Sequence, residues 1–414
     1  MGLALGERDG AVLVTRVAPD TPAARAGVLV GEALVGIDGE RASSSAVVRA
    51  RMASVTEGEE VLLLLRGEDG REREVSVEAA PKPLEVHDGC DVVYDAIEHD
   101  GARLRRIVTV PRDARAPRPW MLYVQGHGAA SVDAGGTPDR PLAALAAAFA
   151  RRGVAFVRVE RSGMGDSEGP ALRELDLTAE ASLYASAFDA TARRPGLDPE
   201  GAFLFGHSLG AVIAGALVAE RRAHARGMIV YGGGAKTWTE YFDESCRRQW
   251  SLAGVPLVDQ DSALRKLQRF HALAIVAQLP LEEVRRRMPE IADEPSLFGL
   301  DERGGMRGRP LRYWQELEQV PIPAHLAAAR IPVLAAWGSS DWLAFRDDHE
   351  LVAACVNEGA PGRGTFAEIP RADHGFADRA SEAGAFGAKD PGTLSEALAT
   401  TLADWTVSLA REAR

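Results

Sequence analysis

The chain is poor in cysteine, with three residues in 414, at Cys90, Cys246 and Cys355. They are too few and too scattered for a disulfide framework or a zinc knuckle. They read instead as free thiols, small core residues of a reducing compartment. Positive charge is short as well: 48 Lys and Arg stand against 60 Asp and Glu, a formal charge of -12. With no basic stripe to displace counterions from phosphates, a nucleic-acid partner is excluded, and the acidity serves solubility. Long apolar runs are missing too, the longest being of the kind of Pro141–Ala150, far short of a bilayer span. The amino terminus shows no basic segment followed by an apolar one, and Gly6 stands where a myristoylation signal needs Ser or Thr. These absences predict a cytoplasmic protein with no membrane partner. HExxH, a cysteine–histidine cluster and a phosphate loop of the form G-x-x-x-x-G-K-S/T are all absent, so neither a metal nor a cofactor is expected.

What remains is an ordinary globular composition, 46% hydrophobic and 26% charged, and a length that suits two domains. Residues 1–80 alternate short strand-like runs with turns. Ala11–Val14 and Val61–Leu65 are β-rich, and Glu74–Val77 has a period of two. Asp38-Gly39, Glu57-Gly58 and Asp69-Gly70 supply turns. Pro22–Gly27 and Ser43–Ala53 predict helices too short to stand without a sheet to pack on. Ala80-Pro81-Lys82-Pro83 then forms a stiff hinge, with residues 81–83 as linker.

From residue 84 the rhythm becomes strand and helix in alternation. Trp120–Val124, Val154–Val159, Ala202–Phe205, Gly227–Tyr231 and Pro332–Trp337 predict strands, while Leu142–Arg152, Thr178–Thr191 and Leu209–Ala225 predict helices. Such alternation implies an α/β fold with a mostly parallel sheet covered on both faces. Residues 236–324 break the rhythm. They read as helices rich in large side chains (Trp238, Tyr241, Phe242, Trp250, Phe270, Phe298, Tyr313, Trp314), interrupted by the loop Leu300–Pro310.

The chemistry centres on Phe205-Gly206-His207-Ser208-Leu209-Gly210. A strand before this G-x-S-x-G and a helix after it make a nucleophile elbow, a sharp turn that exposes the serine Oγ above the sheet. Side chains at 206 and 210 would collide with the neighbouring strand and helix. A hydroxyl needs a base, itself oriented by a carboxylate, and on such folds the order is serine, acid, histidine. Asp341 lies just past the strand Pro332–Trp337, at a strand's carboxyl end where sites in open sheets form. His374 follows the last predicted strand, within Ile369–Phe376. Among the competitors, His349 lies in the predicted helix Asp347–Ala354, Asp347 and Asp348 suit that helix's start, and Asp373 diverges from His374 if the loop is extended.

Two resemblances follow. The segments Gly2–Leu5, Ala11–Val17, Pro19–Gly27 and Val30–Gly39 resemble a PDZ module of the bacterial protease-associated kind, over nearly all of residues 2–79. That resemblance implies a groove in which Leu3, Ala4 and Leu5 offer backbone amides to a peptide's terminal carboxylate, walled by the helix from Ser43. A PDZ fold that only docks on its neighbour is the other reading. The chain opens on the glycine loop itself, with no strand before it.

Residues 84–414 resemble the α/β-hydrolase superfamily, on Gln125–Gly128, Arg161–Ser167, Gly206–Gly210, Asp341 and His374. The resemblance implies a helical cap over the active site at about 236–324 and an oxyanion hole built from two backbone N–H groups. One is Leu209; the other is His127 if Gln125-Gly126 replaces the family's usual His-Gly pair, or Ala129 if His127-Gly128 is that pair. Strand length favours His127. Arg161–Ser167 reads as scaffold, and Gly163-Met164-Gly165 fails as a dinucleotide fingerprint because Glu168 occupies the third glycine's place. Serine as nucleophile argues against the dehalogenase and epoxide-hydrolase branches. The function expected is hydrolysis of a carboxylic ester or related acyl bond on a small acyl substrate. A peptidase fed by the PDZ-like domain, a thioesterase, acyltransferase or cyclase, and a non-catalytic peptide-binding scaffold are the alternatives.

Overall fold

Strands buried on both faces need continuous apolar runs, whereas strands with one wet face need alternation. The two kinds separate along this chain. The computed structural model describes all residues except 9, 53–54, 113–116, 129, 136, 138–139, 302 and 413–414. It divides into two units, Met1–Pro83 and Leu84–Arg414.

The first unit is an antiparallel sheet of β1 (Leu3–Arg8), β2 (Ala11–Val17), β3 (Ala33–Ile37), β4 (Glu40–Arg41), β5 (Glu60–Arg66) and β6 (Glu72–Glu78). The order is β1-β2-β3-β5-β6, with β4 paired to β3. Val61, Leu63 and Leu65 of β5 are buried while Leu62 is exposed, so the leucine run alternates faces despite its uniform composition. Leu3, Ala4 and Leu5 lie within β1 itself, which among the described residues is an edge strand paired only with β2 and bulged between Ala4 and Leu5. The helix Ser45–Met52 packs beside that strand.

The second unit is built on eight strands: β7 (Cys90–His99), β8 (Ala102–Pro111), β9 (Arg118–Val124), β10 (Ala155–Val159), β11 (Leu197–His207), β12 (Gly227–Tyr231), β13 (Val333–Gly338) and β14 (Gly364–Ile369). Their order is β14-β13-β12-β11-β9-β10-β8-β7. From β9 to β14 the pairs are parallel, and the β7–β8 hairpin adds antiparallel strands at one edge. Periodicity does not single out that hairpin. Its Asp100-Gly101 turn, with φ of 48° and 77°, is the signal that reveals it.

Alternate residues of β9 face opposite layers. Trp120, Leu122 and Val124 pack with the helices Leu177–Ala192 and Gly210–Ala219, and Met121 and Tyr123 with Pro141–Arg151. The helix expected to reach Ala225 stops at Ala219, because Arg221 turns left-handed (φ 58°) and the N–H groups of Arg221 and Arg222 bond back to Val218 and Leu217. Between β12 and β13 run the helices Trp238–Leu252, Leu257–His271, Leu281–Arg287, Leu311–Gln319 and Ile322–Ala329. The last packs on Gly210–Ala219 and Arg346–Gly359 and so belongs to the layer covering the sheet.

The order in which strands are added reverses at β9: β10 lies on one side of it and β11 on the other. The carboxyl ends of β9 and β11 therefore border a crevice, where open sheets bind ligands.

A buried ion pair fastens the start of this unit to the sheet. Glu85 accepts from Arg158 at 2.9 and 2.8 Å and from the Ala134 N–H at 2.7 Å. Burial opposes the carboxylate's charge, but His87, Arg158 and Ala134 outweigh it and hold its pKa down to about 2. Because the folded pKa is depressed, this stability is present above the ordinary value near 4.5 and is lost as pH falls toward about 2. Glu85→Gln leaves Arg158 buried and unpaired, and should cost about 3–5 kcal/mol in urea unfolding at neutral pH, with the deficit shrinking in acid.

Candidate active site

The elbow begins as an ordinary buried strand and ends in strain. Ser208 has φ of 54°, a left-handed conformation that costs a non-glycine residue about 1 kcal/mol or more. Its N–H bonds to the Tyr231 carbonyl at 2.9 Å, and its own carbonyl accepts from Ala211 at 2.9 Å, so strand and helix both clamp the turn. A Cβ at position 206 would lie 2.4 Å from Ala211 Cα, and one at 210 would lie 2.1 Å from the Val124 carbonyl oxygen. Only glycine permits these approaches. Leu209 stands at the first turn of the helix, where backbone N–H groups have no intrahelical acceptor.

Asp341 follows β13 and is fully buried. One oxygen accepts from the N–H groups of Leu343 and Ala344 at 2.8 and 2.9 Å, and the other meets His374 Nδ1 at 2.8 Å. Burial alone would raise its pKa, but His374 and the two amides win and lower it. The ionised carboxylate accepts, so His374 Nδ1 carries the proton and Nε2 keeps its lone pair. Burial alone would lower the His374 pKa, yet the charge and hydrogen bond of Asp341 raise it above 6.5. Ser208 and His374 line one cavity. Among the described residues no hydrogen bond joins the serine hydroxyl to the ring, and such contacts commonly close only around substrate.

The other candidates take supporting places. Asp373 sits in a turn and not in an extended loop, its Oδ1 accepting from Gly375 and Ala377, both at 2.8 Å, so it shapes the loop carrying His374. His349 is buried, donates Nδ1–H to the Phe345 carbonyl at 2.7 Å, and is held down to about 4, mainly by burial. Asp347 stands in the first turn of the helix Arg346–Gly359. Asp348, also there, is buried and paired with Lys236 at 3.1 Å.

Four further residues complete the surroundings. His207, inside the elbow, bonds the His374 carbonyl through Nε2 at 2.9 Å, so Nε2 donates and Nδ1 accepts from Tyr123 at 2.9 Å. Burial holds its pKa down to about 3. Arg161, read as scaffold, donates to the carbonyls of Gly126 (2.9 Å) and Gly128. Its guanidinium is buried and pairs with Glu180 at 2.8 Å, and Glu180 also takes Arg309 at 2.6 Å. With the Gly126 carbonyl fixed toward Arg161, the trans peptide turns the His127 N–H the opposite way. Gly126 itself lies against the elbow, since a Cβ there would be 2.7 Å from Ser208 Cβ. The alternative donor, Ala129, lies outside the described residues. No motif marks Glu180 or Arg309, because their pairing joins segments 129 residues apart.

The cavity above Ser208 measures about 620 Å³. Of the aromatics between β12 and β13, Trp238, Tyr241, Phe242 and Trp314 line it, whereas Phe270, Phe298 and Tyr313 are buried in the core. Among the described residues no cluster of three His, Cys, Asp or Glu side chains could hold a metal ion, and no helix is long and apolar enough to cross a membrane.

The family model described as serine aminopeptidase, S33, matches residues 140–271. The larger unit has the α/β-hydrolase fold. The match takes in the hydrolase's elbow and ends before Asp341 and His374. The PDZ domain model matches residues 13–67, and the amino-terminal unit is PDZ-like. Solved structures similar to the chain include the following three. A hypothetical protein from Pseudomonas aeruginosa is 13% identical, over 78% of this chain and 95% of that one, with a TM-score of 0.48. Est1E from Butyrivibrio proteoclasticus with ferulic acid bound is 15% identical, over 76% and 98%, at 0.48. The carboxylesterase EstE1, cloned from a metagenomic library, is 18% identical, over 80% and 90%, at 0.44. No curated protein matches the chain.

The three central histidines of the hydrolase differ in environment and should differ in titration. In an NMR titration from about pH 5 to about pH 8, His374 should protonate with a pKa above 6.5 while His207 and His349 stay neutral. Asp341→Asn should move the His374 transition down, since burial is then opposed only by the charge of Asp373.

Proposed function

We propose that this α/β-hydrolase cleaves a carboxylic ester or related acyl bond through an acyl-Ser208 intermediate. The observation that carries the reading is the shared cavity: a serine held at a left-handed φ of 54° opens into the same space as a histidine paired with a buried carboxylate. In this mechanism Ser208 Oγ attacks the acyl carbonyl while His374 Nε2 takes its proton. Asp341 keeps the ring in the Nδ1–H tautomer and stabilises the imidazolium. The oxyanion falls to the N–H groups of Leu209 and His127, and Arg161 acts as a positioning residue by holding the Gly126 carbonyl away from it. The C–O bond of the tetrahedral intermediate then breaks, with the proton passing from His374 to the leaving alcohol. Water repeats the sequence on the acyl-enzyme and releases the acid.

A second reading, peptide hydrolysis, draws on the description of the matched family model as serine aminopeptidase. It draws also on the free edge of β1 in the PDZ-like unit, where a peptide could add a strand over Leu3, Ala4 and Leu5. A panel of p-nitrophenyl esters, acyl thioesters and peptide amides separates the readings, and cleavage of esters alone counts against the peptidase.

Ser208→Ala should lower turnover by about six orders of magnitude and abolish labelling by a fluorophosphonate. Turnover near that of the wild type would remove the acyl-serine mechanism. Arg161→Lys, which loses the planar fork, should lower kcat by about 10–100-fold with little change in KM, the pattern of lost oxyanion stabilisation.

A further inference from the structure

The chain carries a formal charge of -12, yet its cavity is lined by three cations, Arg140, Lys236 and Arg307, and one carboxylate, Asp348. Lys236 is spoken for, being paired with Glu244 at 2.6 Å and with Asp348 at 3.1 Å. Among the described residues no carboxylate pairs with Arg140 or Arg307. An acidic protein that gathers unpaired guanidinium groups around its own cavity departs from what solubility requires.

Arg307 is the better defined of the two. It lies in the short turn Met306–Arg309, closed by backbone hydrogen bonds of 2.8 and 3.0 Å between Met306 and Arg309. Arg307 and Gly308 both have positive φ, 52° and 76°. This is the geometry in which Asn, Asp or Gly is favoured at the first position, and arginine accepts strain there. The turn is held from both sides. Trp314 Nε1 donates to the Met306 carbonyl at 2.8 Å, and Arg309 is anchored in the core on Glu180. Gly299 leaves room for the side chain, since a Cβ there would be 2.8 Å from Arg307 Cγ. The guanidinium stacks on Phe242 at 4.3 Å from the ring centroid, and the residue, itself exposed, lines the cavity. Beside it are the Cys246 thiol and the Tyr241 hydroxyl. Burial pushes the first up to about 12 and the second well above its usual range, so both stay neutral. Burial likewise holds the neighbouring His127 ring down to about 4. A strained, braced turn therefore presents one planar cation, without a counter-charge, to the space above Ser208.

We infer that Arg307 receives a carboxylate of the substrate, so that the cavity takes acyl compounds with an apolar body against Trp238, Trp314 and Phe242 and an anionic end on this guanidinium. A planar fork meets a carboxylate through two parallel hydrogen bonds, and stacking on Phe242 fixes the fork beforehand. The assignment rests on the hydrolytic reading for the reaction, but the anion site itself stands on geometry and can be tested without turnover.

The test uses the full chain in two arms. In the first, calorimetry compares binding of 4-phenylbutyrate with that of its neutral isostere 4-phenylbutyramide. The acid should bind at least about tenfold more tightly to the wild type, and Arg307→Gln should erase that preference. Arg307→Lys, which keeps the charge, should retain part of it and guards against a Gln variant that does not fold. In the second arm, the ratio of kcat/KM for p-nitrophenyl hydrogen glutarate to that for p-nitrophenyl valerate should fall at least about tenfold in Arg307→Gln. A wild type that does not prefer the acid, or a folded Arg307→Gln that keeps the wild-type preference, overturns the inference. Hydrolysis of neither ester, with the binding preference intact, would instead defeat the esterase reading and leave the anion site standing.

Discussion

One carboxylate shared between two guanidinium groups organises the catalytic unit. Glu180, on the helix Leu177–Ala192, takes Arg161 on one oxygen and Arg309 on the other, and all three side chains are buried. Three ions out of water are costly, and such a triad is tolerated only when hydrogen bonds satisfy it. Further donors go to backbone carbonyls, Arg161 to Gly126 and Gly128 and Arg309 to Leu172, while the Nε of each arginine is buried with no hydrogen-bond partner among the described residues. The loop after β9 and the turn Met306–Arg309 are thereby referred to one point in the core. The first lies behind Ser208, and the second carries Arg307. In the acyl-serine mechanism proposed above, such preorganisation would favour the oxyanion, because dipoles already fixed need no reorientation when charge appears.

The same low-dielectric setting sorts the histidines. His207, His349 and His374 lie close together, yet only His374 has an ionised carboxylate on its ring. The other two give their N–H to backbone carbonyls, which leaves burial as the dominant influence and keeps them neutral. Electrostatic surroundings, more than side-chain chemistry, separate the ring with a raised pKa from the two held neutral. The aromatics between β12 and β13 divide in a similar way, half of them walling the cavity, Phe270, Phe298 and Tyr313 filling the core and Trp250 partly buried against it.

Much of this was legible in the chain itself, because it depends on local rules. Apolar runs marked β9, β10, β12 and β13, since strands covered on both faces have no wet side to vary. G-x-S-x-G between strand and helix marked the turn at Ser208, since no other residue permits the approaches at 206 and 210. The position of Asp341 after a strand and the lone His374 beyond the last one followed from chain order. Where local rules conflict, the sequence was less informative: the leucines of β5 read as uniformly apolar although they alternate, and the helix after the elbow read as continuous past Ala219.

By itself, then, the sequence determined the two-domain plan, the strand and helix alternation and the residue types able to carry acyl chemistry, because each follows from neighbours within a few positions. The tertiary structure alone decided what those residues meet. Pairing of Glu180 with Arg309, seating of His207 under the His374 carbonyl and the stacking of Arg307 on Phe242 at the cavity wall all join segments far apart in the chain. Contacts of that kind arise from packing and leave no periodic trace in the order of amino acids.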